Sequence, residues 1–302
     1  MIKTSYSTLS CPDWSWRELL EFGVRYGYDG VEIRLIERET DLLSRPEFRP
    51  SELVSRRREL ANAGFQVCGL ASSVRFDDVN AGARKKQIEI GQAYVDLAAE
   101  LGASFVRVFG DVLPEHADAA VRQNAIENIA EGLTRLGEYA ETIGPAILIE
   151  THGDFSDSQV TQQTMQLVCC GEVGVLWDTH HPWRFCNEEL PTTFDRLGQW
   201  VRHTHWKDSI VRPQLSKNEE VHQAAQQAHE LMSGHRHADY VLFGAGEFPV
   251  LECLRLLHHA GYDGWFSLEW EKMWHPEIED PEIALPLFPG RIRTLWELVW
   301  PV

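Results

Sequence analysis

The sequence predicts an α/β protein and, within that class, a (β/α)8 barrel, from three observations. A short β-rich run followed by a longer stretch of helical period recurs eight times in 302 residues, the pattern of parallel strands joined by crossover helices. Glycine stands close behind most helical stretches, at Gly27, Gly64, Gly102, Gly144, Gly171 and Gly261, where the left-handed turn that ends a helix favours it. Four apolar runs finish in a metal-competent side chain: Ile147-Leu148-Ile149-Glu150, Val175-Leu176-Trp177-Asp178, His203-Thr204-His205 and Phe266-Ser267-Leu268-Glu269. A parallel barrel gathers acids so far apart in sequence at one mouth.

In chain order, strand 3–9 opens the ring and helix 15–26 returns over it to Gly27. Strand 29–34 with helix 51–63, strand 66–71 with helix 81–101, and strand 104–109 with helix 117–142 form the next units, each helix running up to a glycine. Strand 146–151 sets Ile147 and Ile149 against Ala146, Leu148 and Glu150, and helix 157–170 follows it to Gly171. Strand 173–178 and helix 192–200 make the sixth unit, and strand 201–206 starts the seventh. Its return path is interrupted by a polar, glutamine- and histidine-rich insertion, 209–243, with a helical stretch near 219–232. Long loops on the catalytic face of a barrel often carry function, so the insertion reads as a lid or a homo-oligomer contact. Helix 248–260, strand 265–270 and helix 281–299 complete a single domain, 1–302.

Composition narrows the function. A formal charge of −18 would repel a phosphate backbone, which argues against nucleic acid as a partner. Six cysteines show neither C-x-x-C pairing nor the density of a disulfide scaffold, so most are expected to be reduced and packed. With no secretory signal and no apolar stretch long enough for a bilayer, the expectation is a cytoplasmic protein with no membrane partner.

Alternation sorts each strand into an outward and an inward face. Glu150, Asp178 and Glu269 fall inward and share a height, with Glu271 beyond Glu269. His203 and His205 share a face with His203 one layer deeper, so His205 is the better ligand and His203 the fallback. Inward carboxylates need compensation, and one divalent cation compensates several at once. Arg107 is inward on the fourth strand, either binding a substrate oxygen or, the preferred reading, pairing with inward Glu32. Trp14, Trp183, Trp206 and Trp274 fall near the mouth, although most of the 11 tryptophans are expected in the core.

The segments Leu148-Ile149-Glu150-Thr151-His152, Trp177-Asp178-Thr179-His180-His181, His203-Thr204-His205-Trp206-Lys207-Asp208, Gly244-Ala245-Gly246-Glu247-Phe248 and Gly264-Trp265-Phe266-Ser267-Leu268-Glu269 carry a resemblance. Together they resemble the xylose isomerase-like TIM barrels, specifically the sugar phosphate isomerase/epimerase family. That group also holds ketose 3-epimerases, hydroxypyruvate isomerases, inosose dehydratases and endonuclease IV. The resemblance implies that Glu150, Asp178, His205 and Glu269 hold one divalent metal ion, Mn, Mg, Co or Zn. It further implies that Glu150 and Glu269 act as a catalytic acid/base pair and that His181 contacts substrate. His152, Lys207 and Arg107 join His181 as candidate substrate-binding residues. The endonuclease branch needs more histidines at earlier strand ends, whereas here those ends read Gly69-Leu70-Ala71-Ser72-Ser73 and Val108-Phe109-Gly110-Asp111.

The resulting expectation is a metal-dependent isomerase or epimerase of a small sugar, polyol or sugar phosphate, acting through an enediolate. Lys207-Asp208 stands where ketose 3-epimerases carry an arginine and looks more like inosose dehydratases. A metal-dependent dehydratase is therefore the alternative, with a non-catalytic sugar-binding barrel as the reading from another class.

Overall fold

The apolar runs pair in parallel because a helix returns the chain each time to the starting end of the next strand. A computed structural model describes residues 2–114, 118–211 and 239–299. Its strands are β1 (Lys3–Ser7), β2 (Gly30–Ile33), β3 (Gln66–Arg75), β4 (Phe105–Phe109), β5 (Ala146–Glu150), β6 (Val173–Asp178), β7 (Val201–Trp206), β8 (Asp208–Ile210), β9 (Asp239–Val241) and β10 (Trp265–Leu268). Eight of them close a barrel in the order β1-β10-β7-β6-β5-β4-β3-β2, while β8 and β9 form a separate antiparallel ribbon. The helices are α1 (Trp16–Arg25), α2 (Pro50–Ala63), α3 (Ala81–Leu101), α4 (Ala119–Glu141), α5 (Ser158–Leu167), α6 (His180–Phe185), α7 (Leu190–Leu197), α8 (Val250–His259), α9 (Pro281–Ala284) and α10 (Phe288–Leu298). No described helix is long and apolar enough to cross a membrane.

Local chemistry sets the helix ends. Ser15 and Glu18 form a capping box on α1, Asn80 and Asp118 cap α3 and α4, and Pro50 opens α2. The expected helix 281–299 is interrupted, since Pro286 and Pro289 lack the amides that a continuous helix needs. Gly171 is not a helix cap: α5 stops at Leu167, and only the other five predicted glycines adopt the left-handed conformation. Sequence periodicity gave no sign of α6, a short helix that starts two residues after Asp178.

Apolar side chains divide as the alternation predicts. Val31, Val106, Ile147, Ile149, Val175, Trp177 and Phe266 pack outward beneath the helices. Phe105, Ala146, Leu148 and Leu176 form a separate apolar plug inside the ring. All six cysteines are free; Cys11, Cys68 and Cys253 are packed, whereas Cys169 and Cys186 are exposed, so packing claims fewer than expected.

Of the predicted insertion, β8 and β9 are its two feet, and the helical stretch near 219–232 lies outside the described residues. Buried Asp208 fixes those feet. Its carboxylate accepts four backbone amides, from Ser209 (2.8 Å), Gly244 (3.0 Å), Gly246 (2.9 Å) and Phe248 (3.0 Å). Residue 246 must be glycine for this, because a Cβ there would meet Asp208 Oδ1 at 2.2 Å. From the other side, α6 grips the ribbon: Arg184 donates to Ser209 Oγ and Ser209 O, and His180 Nε2 lies 2.7 Å from Ser209 Oγ.

Candidate metal centre

Parallel register brings the four predicted ligands to one height. Asp178 stands opposite His205, Ser267 pairs with His205 two residues before Glu269, and Glu150 stands opposite Leu176 on the neighbouring strand. One donor atom from each of Glu150, Asp178, His205 and Glu269 lies within 4.8 Å of every other, and all four side chains are buried. His205 Nδ1 is 3.3 Å from both Glu150 Oε1 and Glu269 Oε2. Its Nε2 is 2.8 Å from Glu32 Oε2, which also takes His203 Nε2 at 3.0 Å. A carboxylate behind a histidine fixes the ring's tautomer and turns the far nitrogen toward an ion. Glu32 suits that part: although burial raises its pKa, His205 and His203 bring it down to about 2.

Asp178 works in two directions. Its Oδ1 accepts the amides of His180 (2.9 Å) and His181 (3.0 Å) at the start of α6. Its Oδ2 makes no well-directed hydrogen bond, although Lys207 Nζ stands 2.8 Å away. Lys207 is fully buried and also contacts Glu269 (2.5 Å) and Glu271 (2.6 Å). One ammonium shared among three acids cannot neutralise them all. Burial pushes Asp178 up to about 7 against the pull of Lys207, whereas His205 and Lys207 overcome burial to hold Glu269 well below the usual carboxylate range.

The donor set fits a hard or borderline divalent ion. Four buried carboxylates, Glu150, Asp178, Glu269 and Glu271, crowd around Lys207, Arg107 and a His205 that, against burial, Glu269 and Glu32 hold well above its ordinary pKa. A dication could take the place of the His205 proton among these acids, and Asp178 Oδ2, beside Lys207 (2.8 Å) and His181 Nε2 (3.4 Å), has no well-directed hydrogen bond of its own.

A cavity of about 380 Å³ opens above this cluster. Glu150, Glu269, Glu271, His152, His181, Arg107 and Trp274 are on its wall. His181 Nδ1 lies 3.0 Å from Thr151 O, and its Nε2 lies 3.1 Å from Lys207 Nζ. His152 Nδ1 lies 3.4 Å from Asp111 Oδ1. Lys207, by contrast, lies among the carboxylates with no exposed surface and is not on the cavity wall. Arg107 pairs with Glu150, Nε to Oε2 at 3.2 Å, rather than with the expected Glu32, which the two histidines occupy. Sequence reasoning did not single out Arg34, Arg75 or Asp111, which also line the cavity. The parity that turns Glu32 inward applies equally to Arg34, and was the available signal.

Fold and site define a class, the parallel (β/α)8 barrels that collect ionisable side chains at the C-terminal mouth. Within it, the chain belongs to the xylose isomerase-like TIM barrel family, whose sequence model matches residues 20–285. Among curated proteins it is 27% identical over 163 residues to an inosose dehydratase of Lacticaseibacillus casei, covering 53% of this chain and 49% of that one. The chain thus spans about half the length of that relative. It is 24% identical over 218 residues to a fructoselysine 3-epimerase of Shigella flexneri, covering 70% and 67%. A crystal structure described as the IOLI protein with a binding zinc atom superposes with a TM-score of 0.76 at 15% identity, covering all of both chains. That last likeness is one of fold.

Proposed function

We propose that this chain is a metal-dependent enzyme that moves a proton next to the carbonyl of a small polyhydroxylated substrate, as an isomerase or epimerase. The observation that carries the reading is the closure of Glu150, Asp178, His205 and Glu269 around one point at the floor of the cavity. A divalent ion held by these four residues would supply Lewis acidity to a substrate carbonyl. The remaining work belongs to side chains. Glu150 and Glu269 both reach the cavity wall and come from β5 and the end of β10, on either side of β6 and β7. One takes the proton and the other returns it, to the opposite face for epimerisation or to the adjoining carbon for isomerisation. Arg107 beside Glu150 favours the ionised form a base needs, counteracting burial. His181 and His152 present imidazoles to substrate hydroxyls.

If the substrate that has lost its proton instead expels a β-hydroxyl, protonated by the second glutamate to leave as water, the protein is a dehydratase, a second reading that the similarity to an inosose dehydratase supports. The test is proton exchange in D2O, read by NMR, with ketoses, inososes and their phosphates on Mn2+-loaded protein. Glu150→Gln is expected to slow exchange by about 10²- to 10⁴-fold, with metal content measured alongside. Undiminished exchange in a variant that still holds metal rejects Glu150 as the base; elimination product without exchange selects the dehydratase.

A further inference from the structure

The cavity wall carries three arginines, Arg34 just after β2, Arg75 at the end of β3 and Arg107 on β4. Two have their charge answered. Arg75 pairs with Asp111 (3.0 Å) and Asp77 (3.4 Å), and Arg107 with Glu150 (3.2 Å). Arg34 does not. It is 9% exposed, makes one side-chain hydrogen bond from Nη2 to Ser73 Oγ (3.0 Å), and has no carboxylate within ion-pair distance among the described residues. Its Nη1 has no hydrogen-bond partner. A buried guanidinium without a carboxylate is costly, and a fold retains one where a ligand brings the anion. Burial, with Arg107 close by, lowers Arg34 to a pKa of about 10, so it still carries its charge at neutral pH.

We propose that Arg34 is the subsite for an oxyanion substituent, a carboxylate or a phosphate, at the end of the substrate that faces away from Asp178 and His205. This rests on the reading of the cavity as a substrate site. Arg34 follows β2, which lies across the ring from β6 and β7, so a substrate reacting at the acids extends its far end toward it. On the same side of the wall, Thr40, Ser73 and Gln87 add neutral hydrogen-bonding side chains suited to hydroxyls next to the anionic end. A guanidinium fork also matches both oxyanions geometrically. The substrate class is therefore an acidic polyol, either a sugar acid or a sugar phosphate, rather than a neutral sugar.

The experiment compares three probes of one skeleton, fructose, fructuronate and fructose 6-phosphate, by calorimetry on Mn2+-loaded protein. At least one anion is expected to bind about 10- to 100-fold tighter than fructose, and the two anionic arms tell carboxylate from phosphate. Arg34→Gln should abolish that preference while leaving Mn2+ uptake and melting temperature near wild type, and Arg34→Lys should keep part of it. Equal binding of all three probes, no binding of either anion, or an undiminished preference in Arg34→Gln overturns the proposal. Failure of the metal reading is separable: protein that takes up no Mn2+ yet prefers the anions through Arg34 loses the proposed chemistry and keeps the subsite.

Discussion

A lysine with no exposed surface, contacting Asp178, Glu269 and Glu271 at 2.8, 2.5 and 2.6 Å, is held by charge. Those acids overcome the effect of burial and raise Lys207 well above its ordinary pKa. Lys207→Met keeps the length and volume of the side chain and removes the charge, leaving Asp178 fully buried, and Glu269 and Glu271 nearly so, without that cation. Breaking a buried ion pair from one side costs about 3–5 kcal/mol, and metal-free Lys207→Met is expected to lose that much in urea unfolding. Mn2+ should restore part of it, because a dication answers the same carboxylates. A metal-free variant within about 1 kcal/mol of wild type would show that the acids are protonated and Lys207 contributes little. Residue-scale reading from sequence was good for faces and poor for partners. Alternation placed Glu150, Asp178, Glu269 and Glu32 inward, as found, yet Glu32 meets His203 and His205 from across the ring instead of Arg107. Parity tells which way a side chain points; only the closed barrel tells what it meets across the ring.

At the scale of elements, the Lys207-Asp208 and Gly244-Ala245-Gly246-Glu247-Phe248 motifs are two halves of one joint. Asp208 Oδ1 takes the amides of Ser209 and Phe248, and Oδ2 takes those of Gly244 and Gly246, so one carboxylate ties the end of β7 to the ribbon and to the start of α8. Asparagine cannot replace it, since either orientation turns an NH2 group toward two N–H donors. Asp208→Asn and Asp208→Ala are therefore both expected to cost about 3–5 kcal/mol in chemical denaturation, with the asparagine variant no better than the alanine. An asparagine variant close to wild type would mean the amides find other acceptors. The joint was visible in sequence only as two similarities to a family, because bonds between residues about 40 positions apart leave no periodicity. The same limit hid α6, whose six residues are too few for a helical period and whose start is set by Asp178 accepting the amides of His180 and His181.

Across the whole molecule, the eightfold repeat was legible because every unit obeys one local rule, an outward apolar face under a helix. The four candidate ligands come from β5, β6, β7 and the residue after β10, which are consecutive around the ring and span half of it. An ion held by all four would bind the folded barrel and not the unfolded chain, in which these residues are up to 119 positions apart along the sequence. Binding of that kind adds stability as ligand rises, about 2.7 kcal/mol at a hundredfold excess over Kd. For a chain of 302 residues that shifts the melting temperature by about 4 °C. Mn2+, Co2+ or Zn2+ should thus raise the midpoint of chelator-treated protein, and Asp178→Asn should reduce the shift by removing one anionic ligand. The conservative change Glu141→Gln, on the outer helix α4 far from the cluster, should leave it unaltered. A midpoint indifferent to all three ions at millimolar concentration would mean that Lys207, Arg107 and His205 already answer these acids, and the metal-dependent chemistry would fall with it.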